Sequence, residues 1–305
     1  MNGIGPELAL KVFANKDILE RYDIKVIGPK SAFDYYSKLL KLKKLQDKDI
    51  LSLSVNYDYN LKPGAVDSGA GRISGDAVKL GAELCKKNYF DALVTLPINK
   101  ESLNLGGYVY GGHTEMLSHL TSSKNTFMLM YSAVLKIVPL TVHIPVKKIS
   151  SLITKKKLIE KIILINNTFV KTFKIKNPRI AVLSLNPHAG DGGLLGSEEI
   201  NIINPSIASL LNAGFNIKGP FSADGFFGST MLKKFDVVLA MFHDQAMIPF
   251  KILSKGKGVN FTGGLRILRT SPAHGTAFNI AGKGIADTSS TIEAIRLAGK
   301  LSENY

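Results

Sequence analysis

Three histidines stand at or just beyond the ends of apolar runs that have the pattern of buried strands. IVPLTVHIP contains His143, RIAVLSLNPHAG contains His188, and DVVLAMFHD contains His243. Three neutral imidazoles that leave coordination positions open suit a catalytic Zn²⁺ or a similar divalent ion. A single histidine at such a place is more often a packed or capping residue, and no local spacing rule links these three. The pattern indicates a divalent-metal site, with packing as the alternative.

A glycine-rich segment has the composition of an anion-binding loop. NPHAGDGGLLGSEE (186–199) precedes a predicted helix, so its backbone N–H groups and the helix dipole would face an anion. The alternative is a flexible turn in which Ser197 caps the helix. Neither a GxGxxG fingerprint nor a P-loop occurs in the chain.

Cationic and hydroxyl side chains occur in two further segments. Arg266, Arg269 and Lys283 lie among glycines in residues 262–287, which suits phosphate or carboxylate binding. His113 and Thr114 begin a predicted helix in GGHTEML, where an N-cap role for Thr114 is the alternative. These segments indicate an anionic ligand.

Short apolar runs alternate with helical periods along the chain, and this alternation predicts an α/β fold with mostly parallel strands. In open sheets of this class, ligands bind beyond the carboxyl ends of the strands, where the three histidines fall. Predicted strands cover 23–28, 91–99, 126–132, 137–145, 179–187 and the run DVVLAMFHD. Predicted helices cover 31–45, 71–88, 150–173, 197–214 and 289–300, with Pro205 interrupting the fourth.

The composition is that of a globular protein without disulfides. The chain has 305 residues, of which 45% are hydrophobic, enough for one large or two medium cores. Its single cysteine, Cys85, falls in a helical pattern and is predicted to lie in the core. No apolar run is long enough to span a bilayer, and MNGIGPELAL lacks the pattern of a signal peptide, so we expect a cytoplasmic protein without membrane contact.

A formal net charge of +15 raises the alternative of a non-catalytic protein that binds anions or nucleic acid. Of the 39 basic residues only six are arginines, and the lysines are scattered over helical faces without interleaved aromatic residues. This favours a solvated basic surface over a nucleic-acid interface. The charge still raises the local concentration of small anions.

Taken together, the segments of the chain resemble the 4-hydroxythreonine-4-phosphate dehydrogenase family of pyridoxal phosphate biosynthesis. The resemblance runs from residue 3 to about residue 296, except for 30–65. Its motifs are GIGPE, LPINK, GGHTEML, VHIP, LNPHAGDGGLLGSEE, GPFSADGFF, FHDQAMIPFK, VNFTGGLRILRTS and HGTAFNIAGKGIAD. The last also resembles the NAD-contacting loop of isopropylmalate and isocitrate dehydrogenases.

The resemblance implies a two-domain α/β/α fold like that of those dehydrogenases. The first domain would comprise 1–120 plus 260–305, with both termini and part of the NAD site. The second, 121–259, would carry the metal histidines and the dimerisation surface. It further implies a homodimer with its active site near the subunit interface. Family members usually open with a strand leading into GDPxGIGPE, whereas this sequence starts at MNGIGPE. If that strand is truly absent, we expect a sheet with one member fewer.

The resemblance also assigns roles to individual residues. The metal ligands are His143, His188 and His243, for Zn²⁺, Mg²⁺ or Co²⁺. The substrate contacts are His113, Thr114, Lys251, Asn260 and Arg269. The dinucleotide, NAD or NADP, falls near His274, Gly275 and Asn279. Asn279 departs from the family, which more usually has an aspartate there.

The activity implied is NAD-dependent oxidation of 4-phosphohydroxy-L-threonine at C3, followed by decarboxylation to 3-amino-2-oxopropyl phosphate. The nearest alternative is a sister dehydrogenase of a phosphorylated four-carbon sugar acid, threonate or erythronate 4-phosphate. The same metal ligands and phosphate contacts would serve both substrates.

Three further residues are candidates for proton transfer or for orientation of the site. Lys251 with a depressed pKa is one candidate for the general base, and a water relay is the other. Asp244 and Asp224 are predicted either to orient metal-bound imidazoles or to meet the substrate ammonium group. Capping of nearby loops is the alternative for both aspartates.

Overall fold

The computed structural model describes residues 1–53 and 59–305. Its strands are short, and most pairings among them are parallel. They are β1 (Val26–Ile27), β2 (Ile50–Leu51), β3 (Ala92–Val94), β4 (Phe127–Tyr131), β5 (Lys136–Pro139), β6 (Ile180–Leu183), β7 (Ile217–Phe221), β8 (Val237–Ala240), β9 (Val259–Gly263) and β10 (Leu268–Pro272).

Helices alternate with these strands along the chain. They are α1 (Gly5–Phe13), α2 (Lys16–Arg21), α3 (Lys30–Leu40), α4 (Ser68–Lys86), α5 (Lys100–Leu105), α6 (His113–Leu120), α7 (Ile149–Leu152), α8 (Lys155–Lys171), α9 (Asn204–Asn212), α10 (Ala223–Phe227), α11 (His243–Ser254) and α12 (Ser289–Ser302). Asn15, Asp67, Asn99 and Thr154 cap α2, α4, α5 and α8 by accepting a hydrogen bond from a first-turn N–H.

The chain divides into two compact units, and unit 1 comprises Met1–Thr126 and Leu265–Glu303. Within it β1 pairs in parallel with β2, and β3 pairs in parallel with β10. Helices α4 and α5 pack so closely that a Cβ on Gly71 would lie 1.7 Å from the carbonyl oxygen of Ser102. Glycine is therefore the residue that this crossing accommodates.

A cavity of about 470 Å³ lies inside unit 1. It is bordered by β1 on one side and β3 on another, and the side chains of both strands are only partly buried. Apolar residues from separate core clusters also line it, among them Val78, Phe33 and Val12. The core of unit 1 is thus assembled from several clusters around this space.

Unit 2 comprises Phe127–Gly264 and Asn304–Tyr305. Its strands follow the order β9-β4-β5-β8-β6-β7. Strand β4 runs antiparallel to both β5 and β9, whereas β5, β8, β6 and β7 are parallel. All residues of β6 and β8 are buried, as expected for central parallel strands covered on both faces.

The predicted α/β class with mostly parallel strands is confirmed, and the antiparallel β4 makes the sheet mixed. The strands are shorter than predicted: β5 ends at Pro139, β6 at Leu183 and β8 at Ala240. The apolar runs continue beyond the strands because the chain stays buried after leaving the sheet, as at Leu140 and Met241.

The helical predictions need two corrections. The period over 150–173 corresponds to two helices, α7 and α8. The predicted helix 197–214 begins as a π-helical turn, Glu199–Ile203, and continues as α9. The change from the π-helical turn to α9 falls next to Pro205, so the predicted interruption at this proline is a change of helix type rather than a break in the helix.

Within residues 1–53 and 59–305, every helix is either too short or too polar to cross a bilayer. Cys85 lies buried in α4, as predicted, and burial raises the pKa of its thiol to about 11.

Candidate active site

His143 and His243 are brought together by two parallel strands of unit 2, β5 and β8. Beyond the strand ends the two chains stay tied, because Leu140 N donates to Ala240 O over 2.8 Å. Thr141 Oγ1 likewise donates to Met241 O over 2.8 Å. The ring centroids of His143 and His243 lie 6.2 Å apart with 38° between the ring planes. His143 itself has φ of 54°, a left-handed conformation. Two of the predicted ligands therefore meet at one edge of the sheet.

His243 is oriented by the residues that follow it. It is the first residue of α11, and its Nδ1 lies 2.7 Å from Oδ1 of Asp244. With Nδ1–H donating to this carboxylate, the lone pair of Nε2 is the one available to a ligand. Gln245 fixes the turn, accepting from Met241 N and donating to Ser184 O, both over 2.7 Å.

His188 lies in the loop after β6, in a left-handed conformation with φ of 50° and ψ of 30°. Asp224 is near enough for the charge of His188 to affect it. The pKa of Asp224 lies below its usual value, mainly because Gly225 N–H and Ser222 Oγ donate to it, with a smaller contribution from His188. Asp224 thus takes part mainly in its own turn and lies within electrostatic range of the histidine.

The structure does not assemble the predicted three-histidine set. Over the described residues, no three His, Cys, Asp or Glu side chains lie close enough to hold a metal ion. The donor types still suit a divalent ion, since two imidazoles face each other and a carboxylate orients one of them. Rings that share a tetrahedral ion lie about 5 Å apart by centroid, so the observed pair is wider by roughly 1 Å.

In unit 1, the buried Arg269 lies near enough to the half-buried His113 for its charge to act on the imidazole. Arg269 is 2% exposed, and its Nε and Nη2 donate to Thr95 Oγ1 over 3.0 and 2.6 Å. Burial lowers the pKa of Arg269 to about 10. Burial, and then the charge of Arg269, lowers the pKa of His113 well below 6.5, so the imidazole is neutral. Its Nε2 is buried without a hydrogen-bond partner.

Thr114 does not have the N-cap role that was its alternative to a ligand contact. The N-cap is Gly112, with φ of 156°, and no side chain caps the helix, so Thr114 does not act as an N-cap. Thr114 is half-buried in the first turn. Its hydroxyl is therefore not committed to the cap, which is compatible with the predicted substrate contact.

Lys251 and Asn260 belong to unit 2. Lys251 is exposed in the last turn of α11. Asn260 lies on β9 opposite Met130, and its Oδ1 is buried without a hydrogen-bond partner. A buried amide oxygen without a donor costs free energy, and a ligand that donates a hydrogen bond there would remove that cost.

The predicted dinucleotide residues lie in the loop after β10. His274 has Nδ1 3.2 Å from Gly275 O, and its Nε2 is buried without a partner. Gly275 and Asn279 are exposed. The side chain of Glu7 holds the same loop, accepting from Gly284 N over 3.2 Å and Ala286 N over 2.7 Å.

Three residues that support these segments were not identified from the sequence: Glu7, Glu199 and Gln245. The first two are acidic yet 0% and 1% exposed. Glu7 and Glu199 could have been predicted from their position beside glycine-rich turns, in GIGPE and GSEE, where backbone N–H groups need acceptors.

Known proteins resemble the chain over nearly its whole length. The family model of pyridoxal phosphate biosynthetic protein PdxA matches residues 8–298. A 4-hydroxythreonine-4-phosphate dehydrogenase of Prosthecochloris aestuarii is 40% identical, covering 100% of this chain and 95% of its own. A D-threonate 4-phosphate dehydrogenase of Pectobacterium atrosepticum is 39% identical, covering 98% and 96%.

A solved structure agrees with these sequence relatives. The crystal structure of 4-hydroxythreonine-4-phosphate dehydrogenase from Klebsiella pneumoniae superposes with a TM-score of 0.85 at 31% identity, covering 99% of this chain and 96% of that one. The resemblance inferred from the motifs is thereby confirmed, and the chain belongs to the PdxA family of dehydrogenases.

Proposed function

We propose that the protein oxidises 4-phosphohydroxy-L-threonine at C3 with NAD, and that the resulting β-keto acid loses CO₂ to give 3-amino-2-oxopropyl phosphate. The relatives named for this activity support the substrate class. The observation that carries the proposal is the facing pair His143 and His243, with Asp244 orienting one ring. This arrangement suits a site that acts on a hydroxyl group.

We propose that His143, His188 and His243 hold a divalent ion, Zn²⁺, Mg²⁺ or Co²⁺. When bound, such an ion lowers the pKa of a hydroxyl group and offsets negative charge on its oxygen. The chain's own contribution is orientation. Asp244 accepts from Nδ1 of His243 and so sets its tautomer, and we propose that Asp224, which lies within electrostatic range of His188, orients that second imidazole.

For the substrate we propose contacts from His113, Thr114, Lys251, Asn260 and Arg269. Arg269 supplies a charge that is already desolvated, so a phosphate meets it without stripping its hydration. The neutral His113 has a buried Nε2 without a hydrogen-bond partner, and we propose that the same substrate contacts it. Lys251 is the proposed general base, and Asn260 supplies an amide that adds no charge.

For the dinucleotide we propose NAD at His274, Gly275 and Asn279. The buried, unpartnered Nε2 of His274 supports a polar ligand there. The reaction is proposed to take place in the cytoplasm, where the lone thiol of Cys85 stays reduced.

A second candidate is oxidation of a four-carbon sugar acid phosphate. The D-threonate 4-phosphate dehydrogenase of Pectobacterium atrosepticum favours this candidate. It is 39% identical to this chain, and the 4-hydroxythreonine-4-phosphate dehydrogenase of Prosthecochloris aestuarii is 40% identical. The two substrates differ at C2, where one has an ammonium group and the other a hydroxyl.

The test is NADH formation from NAD with each substrate in parallel, with and without a chelator. We expect metal-dependent turnover of 4-phosphohydroxy-L-threonine and at least about tenfold lower kcat/KM for D-threonate 4-phosphate. The variant His243→Ala should lose turnover, whereas His119→Ala, at an exposed histidine, should keep it. Turnover of the sugar acid alone would replace the first proposal by the second. Turnover that survives chelation would refute the metal site.

We further propose a homodimer formed through unit 2. Exposed aliphatic side chains flank the three histidines in sequence: Ile144, Val146, Leu194, Leu195, Ile200, Ile248 and Ile252. Their clustering in sequence around the three histidines supports a surface in unit 2 that is covered in the assembly.

Two valines of equal exposure provide a matched test of this surface. Val146 in unit 2 and Val109 in unit 1 are each 82% exposed. We expect Val146→Asp to shift the mass measured by sedimentation from dimer to monomer, and Val109→Asp to leave it unchanged. A monomeric wild type, or dimers in both variants, would refute this assignment.

A further inference from the structure

The loop that carries His188 has an unusual backbone. Six consecutive residues, 188–193, all have positive φ values between 43° and 102°. Three of them, His188, Ala189 and Asp191, are not glycine. An L-residue in this conformation costs about 1 kcal/mol or more. The surrounding structure must therefore hold the turn.

The carboxylate of Glu199 is the group that holds it from the preceding side. Glu199 is 1% exposed. Its Oε1 accepts from Leu185 N over 2.8 Å and from Asn186 N over 2.9 Å. Its Oε2 accepts from Asn186 Nδ2 over 2.9 Å. Three donors converge on this one carboxylate, and all come from the two residues that lead into the turn.

The same carboxylate also lies against the turn on the far side of His188. A Cβ placed on Gly190 would lie 2.8 Å from Oε2 of Glu199 and 3.0 Å from Gly196 O. Glu199 is itself the first residue of the π-helical turn, a conformation often found next to functional sites. The carboxylate thus contacts residues two positions before and two positions after His188.

We propose that Glu199 is a positioning residue that fixes the backbone of His188 and thereby directs its imidazole toward the proposed metal ion. The part of this inference that concerns the metal ion rests on the proposed function. The part that concerns the orientation of His188 does not. The carboxylate of Glu199 is taken up by protein donors. It acts through the hydrogen bonds at Leu185 and Asn186 and through contact with Gly190.

The neighbouring residue gives a matched control. Glu198 has the same side chain but is only half-buried. It accepts from Ser150 Oγ and from Asn186 Nδ2, whereas the N–H groups of Leu185 and Asn186 bond to Glu199. The conservative variant Glu199→Gln keeps one oxygen for the two backbone N–H groups but turns an amide toward Asn186 Nδ2. It should therefore retain part of the function that Glu199→Ala loses.

The experiment uses the full chain with Co²⁺ alone as the probe, and two readouts. Titration calorimetry gives the Kd for Co²⁺, and proton NMR in metal-free protein follows the His188 Cε1–H signal, assigned with His188→Gln. For Glu199→Ala we expect about 10- to 100-fold weaker Co²⁺ binding and a displaced or broadened His188 signal. Glu199→Gln should show a smaller change in the same direction, and Glu198→Gln should match the wild type.

The outcomes separate this inference from the proposed function. A displaced His188 signal in Glu199→Ala, together with a wild type that does not bind Co²⁺, would uphold the positioning role and refute the metal site. Wild-type Co²⁺ affinity and an unchanged His188 signal in Glu199→Ala would refute the positioning role, as would equal losses in Glu198→Gln. If Glu199→Ala does not fold, Glu199→Gln decides between the same outcomes.

Discussion

His113 makes folding stability depend on pH in a predictable direction. Its pKa is lowered below 6.5 by burial and by Arg269, so the folded protein does not take up the proton that the unfolded chain accepts below that pH. The free energy of unfolding therefore falls as pH drops below about 6.5, by up to about 1.4 kcal/mol per pH unit from this residue.

We expect His113→Asn to lose part of this acid sensitivity. Melting temperatures measured from about pH 7.5 to about pH 5.5 should fall less steeply for the variant than for the wild type. His119→Asn removes an exposed histidine that contacts Tyr110 OH and serves as the control. Parallel curves for wild type and His113→Asn would contradict the prediction.

We expect Thr95 to hold the guanidinium group of Arg269 in position, because its hydroxyl oxygen accepts two of the guanidinium hydrogen bonds. Replacing it by valine keeps the shape but removes an acceptor of two guanidinium N–H groups, at a cost of about 1–3 kcal/mol in stability. Because Arg269 is the proposed phosphate contact, KM for the phosphorylated substrate should rise several-fold and kcat should change less. Thr95→Ser keeps the hydroxyl and should restore both; a valine variant with wild-type KM would argue against this role.

At the scale of helices, two glycines of α4 should respond oppositely to alanine. A Cβ on Gly71 would lie 1.7 Å from a backbone carbonyl of α5, which cannot move away. A Cβ on Gly81 would lie 2.7 Å from Leu93 Cδ1, the flexible end of a side chain beside the cavity.

Gly71→Ala should therefore destabilise the protein by about 1–3 kcal/mol. Gly81→Ala should be neutral or stabilise by up to about 1 kcal/mol, since alanine favours the helix. Thermal unfolding of both variants measures the difference. Equal losses in the two would show that the contact with Ser102 does not set the packing of α4.

The sequence predicted which segments form strands more accurately than it predicted where those strands end. Apolar periodicity identified β5, β6 and β8, but each strand stops several residues earlier than its apolar run. Burial continues past the sheet because Leu140 and Thr141 still bond to residues 240 and 241. Periodicity reports burial rather than sheet pairing, so it cannot locate where a strand ends.

The candidate site was predicted by residue type and not by geometry. Apolar runs that end at His143 and His243 predicted both at the carboxyl ends of strands, and in the structure their ring centroids lie 6.2 Å apart. The position of His188 depends on a left-handed turn and on Glu199, and no propensity for a helix or a strand encodes such a turn. Buried acids that serve backbone N–H groups become visible only once the fold is known.

At the scale of the molecule, the net charge of +15 should act on the rate of substrate capture. A basic protein attracts a phosphorylated substrate, and salt screens that attraction over about 10 Å at 0.1 M. Raising ionic strength from about 0.02 to about 0.3 M should lower kcat/KM several-fold, mostly through KM. An unchanged kcat/KM would mean that the scattered lysines do not attract the substrate into the site.

Because the core of unit 1 is divided around a cavity, we expect its strands to unfold locally more readily than the central strands of unit 2. Strands β1 and β3 border the cavity with half-buried side chains, whereas β6 and β8 in unit 2 are fully buried. Fewer apolar contacts mean a smaller free energy of local opening. In hydrogen exchange, the amides of Val26 and Ile27 should therefore lose protection well before those of Val238 and Leu239. Uniform protection would indicate that the clusters around the cavity open as one cooperative unit.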